Sequence, residues 1–321
     1  MTVAAVLAAY AVLAGALGPR LLGRAGWAER APRLGILTYL AAAWSVVAAS
    51  GLAGLTLAVH ATALGGGLSR LIGACVLRLR DEYAAPGGGA VAGFGLALAA
   101  AVAARTAVTA IAHLRTVRGQ ARRTAQAVRL VGRPEPALGA VLVEHAQPAV
   151  YCVAGPHPTV VMTTGARQAL DPGQVEAVLA HERAHLAYRH HRFLAIARIG
   201  QQVFPFIPLM REAAGQVARL VEMHADDAAT AGRDTGPLAT ALVALASAGR
   251  DPGPALAAAG ADPAGADAVR RIQRLLTPAE PLSRVRRHLL RAAAAVLALI
   301  PLLLALAPAV LALALGRIQP V

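Results

Sequence analysis

Five consecutive residues can do chemistry: His181-Glu182-Arg183-Ala184-His185, inside the run DPGQVEAVLAHERAHLAYRHH. On a helix, residues four apart share a face, so His181 and His185 can turn both imidazoles to one metal ion. Glu182, one position along, reaches a water on that metal without being a ligand. This is the H-E-x-x-H pattern of zinc peptidases, with two histidine ligands and a glutamate as general base. Two histidines leave zinc short of a protein ligand, and Glu222-Met223-His224-Ala225-Asp226 offers one in Glu222. Asp226, four residues on, shares the face of Glu222 and suits an acceptor for the second ring nitrogen of a ligating histidine. Three protein ligands keep the fourth position open, as a catalytic site needs and a structural one does not. Zinc, one per chain, is the expected cofactor. Arg219 and His224 are the candidates for stabilising an oxyanion.

These residues act together only if helices carry them. Asp171 is a suitable N-cap, Pro172 suits the first helical position, and Gln174 completes a capping box. Val175, Val178, Leu179 and Leu186 follow at helical spacing, which predicts a helix over about 172–193. His190 and His191 lie past the motif and are expected at the surface or in an interface, and His145 and His157 in loops. A second helix is predicted over about 210–231 after Pro205 and Pro208, with further helices over 236–248 and 264–276. Short strands are predicted at about 138–144, 149–154 and 159–164. The last of these, TVVMTT, is the expected partner for an extended substrate.

The rest of the chain is membrane-like. Of 321 residues, 57% are hydrophobic and 15% charged, less charge than a soluble globular protein carries. Apolar, almost charge-free runs predict transmembrane helices at about 2–18, 34–59, 90–114 and 292–316. Arginines follow the first apolar run rather than precede it, which favours a retained helix over a cleaved signal. Arg20, Arg24, Arg30 and Arg33 mark the first loop as cytoplasmic. Arg115, Arg118, Arg122, Arg123, Arg129 and Arg133 do the same for the domain after the third span. Both termini are then outside. Arg105, in the third span, is expected to snorkel to headgroups. Cys75 and Cys152 fall on opposite sides of the membrane, so no disulfide is expected, and Cys152 reads as a small buried side chain. All 31 basic residues are arginine, which with a net charge of +14 points to a GC-rich bacterial genome and membrane topology. Aromatics are only 3% and no basic stripe interleaves with them, which argues against direct nucleic-acid binding.

The predicted fold is thus an α-helical membrane protein with four transmembrane helices and a cytoplasmic α+β metallopeptidase domain. Residues 1–124 hold three spans, 125–286 the metallopeptidase domain, and 287–321 the fourth span and a short tail.

HERAH followed by Glu222 to Asp226, with three spans before and one after, resembles the BlaR/MecR-type membrane zinc metallopeptidases. The same two motifs occur in the HtpX and CAAX prenyl protease group. The resemblance implies a gluzincin-like domain, zinc on His181, His185 and Glu222, and Glu182 as catalytic. It also implies signal transduction by proteolysis of a winged-helix repressor of the BlaI/MecI kind. Two departures stand out. Nothing after Gly316 is long enough for a sensor domain, and no S-x-x-K motif lies outside, so direct β-lactam sensing is not expected. His190 stands where related peptidases often carry an acid. Two rival functions are quality control of membrane proteins, as in the HtpX type, and non-enzymatic signalling around a structural zinc. The sequence leaves the oligomeric state open, a dimer included.

Overall fold

The computed structural model describes residues 2–23, 26–59, 88–248, 264–277 and 280–316. Cys75, expected on the opposite side of the membrane from Cys152, lies outside them.

Among the described residues, four helices are long and apolar enough to cross a membrane: α1 (Thr2–Gly23), α3 (Pro32–Val59), α4 (Gly88–Val131) and α11 (Arg284–Gly316). A single turn, α2 (Trp27–Arg30), joins the first two. All four predicted spans are found as helices, with different ends. α4 has 44 residues, about 66 Å at 1.5 Å per residue, twice the thickness of a hydrocarbon core. Its second half is the arginine-rich stretch, so those charges ride on a helix that continues beyond the apolar segment. α11 runs unbroken through Pro301 and Pro308 and begins eight residues before its predicted start, within a basic turn.

α3 is the central span and packs against α1, α4 and α11. Gly54 and Gly95 let α3 and α4 touch backbone to backbone. A Cβ on Gly54 would meet the Gly95 carbonyl oxygen at 2.7 Å, and one on Gly95 would meet that of Gly54 at 2.6 Å. The outer faces of α4 and α11 are apolar and exposed, as at Phe94, Leu96, Val108, Leu299, Leu303 and Leu306. Such a surface suits lipid.

Between α4 and α11 lies a small mixed sheet with helices. The strands are β1 (Gly132–Glu135), β2 (Ala140–Val143), β3 (Val150–Val153) and β4 (Thr159–Thr163), in the order β1-β2-β4-β3. β2 and β4 are parallel; the other two pairings are antiparallel. β1 is an addition to the sequence reading. Pro134 disguises it, and proline is tolerated there because β1 is an edge. The order also corrects one expectation. β4 (TVVMT) is paired on both sides, so a substrate strand cannot add to it. The edge available beside the helix carrying HERAH is β3.

Short α5 (Thr164–Ala169) leads to α6 (Pro172–Ala187), α7 (His190–Val203), α8 (Pro208–Ala229), α9 (Gly236–Ala248) and α10 (Ala264–Leu276). α6 starts as its sequence dictates: Asp171 Oδ1 accepts from Gln174 N at 2.9 Å, and Gln174 Oε1 accepts from Asp171 N at 3.0 Å. It stops earlier than predicted. Arg189 takes a left-handed backbone, φ 54°, and the chain turns into α7. The predicted helix over 172–193 is therefore two helices with a corner at 188–189.

α8 belongs to the same hydrophobic core as the spans. Its Leu209, Met210, Val217, Leu220 and Val221 are fully buried with Ile36, Tyr39 and Val46 of α3 and Leu7 of α1. Gly35 lets α3 approach, since a Cβ there would meet Leu220 Cδ1 at 2.8 Å. A second core, including Val160, Met162, Val178, Leu179 and Leu238, ties the sheet to α6 and α9.

Arg105 also departs from expectation. Its Nε donates to Val203 O at 2.6 Å and its Nη2 to Gln202 O at 3.2 Å. It caps the C-terminal carbonyls of α7, which need donors, instead of reaching for headgroups.

Candidate metal centre

α6 supplies His181 and His185 one turn apart, and α8, packed alongside, supplies Glu222. The ligand atoms of these three residues lie within 4.8 Å of one another. The two Nε2 atoms are 3.0 Å apart. Glu222 Oε2 is 3.5 Å from His181 Nε2, and Oε1 is 3.5 Å from His185 Nε2. Bonds of about 2.0–2.1 Å in a tetrahedron put ligand atoms roughly 3.3–3.4 Å apart. The spacing and the donor set therefore fit a zinc ion, and His181, His185 and Glu222 form a candidate zinc site.

Asp226 stands behind His181, as the sequence led us to expect of an acceptor. Its Oδ1 is 3.0 Å from His181 Nδ1, although the ring N–H is not aligned on it, so charge rather than a formed hydrogen bond holds the pair. Asp226 is itself gripped by a residue the sequence reading missed. Arg271 of α10 donates Nε to Oδ2 at 2.8 Å and Nη2 to Oδ1 at 2.7 Å, and its Nη1 lies 3.1 Å from Glu222 Oε2. One turn on, Arg274 grips Asp227 in the same two-pronged way, at 2.6 and 2.9 Å. The signal was present as arginines three apart in one helix and adjacent aspartates in another. Only tertiary packing aligns them.

These contacts set the charges. Burial disfavours the His181 imidazolium, but Asp226 and Glu222 outweigh it and raise the group to about 9. Burial dominates at His185 and, despite Glu222, lowers it to about 4. Burial would raise Glu222, yet His181 and Arg271 bring it down to about 2. Asp226 is opposed by burial in the same way and is likewise held near 2, by Arg271 and His181. Glu182 is raised above the usual carboxylate range, chiefly by burial, and hydrogen-bonds with Cys152 of β3. The Cys152 thiol is pushed up to about 12 by burial and the nearby Glu182, so it is an inert, half-buried side chain.

His190 is the clearest correction. Expected at the surface or in an interface, it is fully buried within the site. The corner at Arg189 swings it back so that its Nδ1 is 3.1 Å from His185 Nδ1 and its Nε2 is 2.8 Å from His224 Nδ1. Burial and the adjacent His185 and His224 lower it to about 3, so it is neutral. The tautomers then follow. With His185 Nε2 turned to a metal, its Nδ1–H donates to His190 Nδ1, and His190 Nε2–H donates to His224 Nδ1. Tyr188 stacks near His190 and meets His224 edge-on, with centroids 4.6 Å apart in the second case. His191 is exposed.

The two oxyanion candidates sit elsewhere. His224 ends this histidine chain. The Arg219 guanidinium is engaged by Gln216 and by Glu29 of α2.

No curated protein and no solved structure matches the chain. Residues 115–220 match the model of Peptidase family M48; that stretch contains His181, Glu182 and His185, stops two residues before Glu222, and makes this part of the chain the domain of an M48 metallopeptidase.

Proposed function

We propose that the protein is an integral membrane zinc metalloendopeptidase that cuts a protein chain on the arginine-rich, cytoplasmic side of the bilayer. The observation that carries the reading is the convergence of His181, His185 and Glu222 beside a half-buried Glu182 and an edge strand. Zinc held there would supply Lewis-acid chemistry, activating a water and polarising a peptide carbonyl. Glu182, with its affinity for protons raised by burial, takes the water's proton and passes it to the leaving amine. Substrate lies extended along β3, where Cys152 and Glu182 meet, adding a strand to the sheet edge. Arg271 and Asp226 hold Glu222 and His181 in place. Arg271, the cation beside Glu222, replaces Arg219 and His224 as the candidate for meeting negative charge on the substrate.

Residues 125–286 are the peptidase unit in this reading, flanked by membrane segments 1–124 and 287–321. By the BlaR/MecR resemblance, the substrate is a winged-helix repressor and the role is signal transduction. A second reading, removal of damaged membrane proteins, is favoured by one observation: the helix carrying Glu222 packs directly on α1 and α3, close to where a membrane substrate would present itself. The test is to reconstitute the full chain with zinc and offer a repressor encoded beside it and, separately, an unfolded membrane protein. Cleavage of the repressor alone supports the first reading, and broad cleavage of the unfolded protein the second. Zinc binding with no cleavage of either, unchanged in Glu182→Gln, would leave a structural zinc.

A further inference from the structure

Away from the metal centre, a basic cavity of about 760 Å³ lies between the start of α3, the end of α8 and the start of α11. Four arginines line it: Arg30 and Arg33 from one side, Arg287 and Arg291 from the other. Arg287 and Arg291 are four apart on one helix and share a face. The acids nearby are already engaged. Asp227, in the wall, is gripped by Arg274, and Glu29 is paired with Arg219. Among the described residues, no ion pair is formed by the four lining arginines. Four positive charges facing one cavity repel each other, so the site is built for an anion.

What lies next to the arginines identifies the anion's body. Along α3 the lining continues from Arg33 to Leu37 and Ala41, each four residues further on the same face. Along α11 it continues from Arg291 to Ala294 and Ala295. Both helices are candidate spans, and both enter the apolar region at this end. The cavity is thus cationic at its mouth and apolar over roughly 12 Å of helix below. A free phosphate would use only the mouth, whereas a phospholipid uses both.

We propose that this cavity binds one anionic phospholipid, with its phosphate among Arg30, Arg33, Arg287 and Arg291 and its acyl chain along Leu37, Ala41 and Ala294. His224 lines the same cavity, two side chains from the metal ligand His185 through His190. The bound lipid therefore sits beside the histidine chain that orients a zinc ligand. Binding of the lipid does not depend on the protein being a peptidase.

The test is native mass spectrometry of the full chain in detergent, titrated with phosphatidylglycerol, phosphatidylcholine or inorganic phosphate. The expected result is one phosphatidylglycerol retained in preference to phosphatidylcholine. Arg287→Gln with Arg291→Gln should weaken that preference by about thirtyfold. The double lysine variant, which keeps the charge, should retain most of it. Unchanged zinc content in each variant reports that the fold is intact. Equal retention of both lipids, or a preference that survives the double glutamine change, overturns the proposal. Displacement of the lipid by inorganic phosphate at similar concentration would assign the mouth to a free anion and also overturn it.

Discussion

Replacing His190 by leucine removes the one acceptor that His185 Nδ1 has among the described residues on its side away from Glu222. His190 is fully buried, so no water takes its place. With His185 Nε2 on zinc, the Nδ1–H becomes a buried donor without a partner, a cost of about 1–3 kcal/mol. Expressed as metal affinity, loss of such a supporting group typically costs about 10- to 100-fold. Leucine is similar in size, so the change is mainly in hydrogen bonding. Asparagine is the discriminating control. Its Oδ1 stands where the histidine Nδ1 stood and accepts from His185, while the contact with His224 is lost. The assay is zinc competition against a chromophoric chelator, with protein concentration and detergent held constant. The account expects His190→Leu to bind zinc about 10- to 100-fold more weakly and His190→Asn to stay within about threefold of the parent. Equal affinities for the parent and the leucine variant, with the fold retained, would refute the idea that His190 orients His185.

Other outcomes follow from the same geometry. In the metal-free protein near neutral pH, His185 (about 4) is already neutral and Glu222 (about 2) already ionised, but His181 (about 9) is protonated. Zinc binding should therefore release about one proton, visible by calorimetry in buffers of different ionisation heat. Apparent affinity should rise about tenfold per pH unit up to about 9; no proton release would remove this assignment. By the same sign, His181 stabilises the metal-free fold below its ordinary value of roughly 6.5, and that contribution is lost as pH rises through about 9. Arg189→Gly should be neutral or stabilising, since φ 54° suits glycine, while Arg189→Val should cost about 1–2 kcal/mol or more in a denaturation series. Gly54→Val should drive α3 and α4 apart at the Gly95 carbonyl and lower Tm, by an overpacking cost of about 1–3 kcal/mol.

What could be read from the sequence was what is local. The capping box at Asp171, the spacing of His181 and His185, and the four apolar helices all depend on residues within a turn or within one run, and the structure has each of them. Helices over 236–248 and 264–276 were likewise set by their own patterns. What escaped depends on where the chain turns. Nothing near Tyr188-Arg189 announces a corner, because arginine is not a residue that favours a left-handed backbone. Without that corner, His190 belongs outside the site. Arg271 is separated from Asp226 by 45 residues and meets it only because α10 packs on α8. Pro134 hid an edge strand, and the sheet order that makes β3 the accessible edge is not a property of any one strand. Arg105 sits in an apolar run whose sequence points only to the bilayer, while its partner is a helix end from another part of the chain.

The most direct test of the central claim is a paired measurement on the parent and Glu182→Gln, taking zinc content and cleavage of a reconstituted protein substrate together. Glu182 is the proposed base and not a ligand, so the account predicts equal zinc near one per chain in both proteins and cleavage by the parent only. Loss of zinc from Glu182→Gln, or equal cleavage by the two proteins, would contradict it.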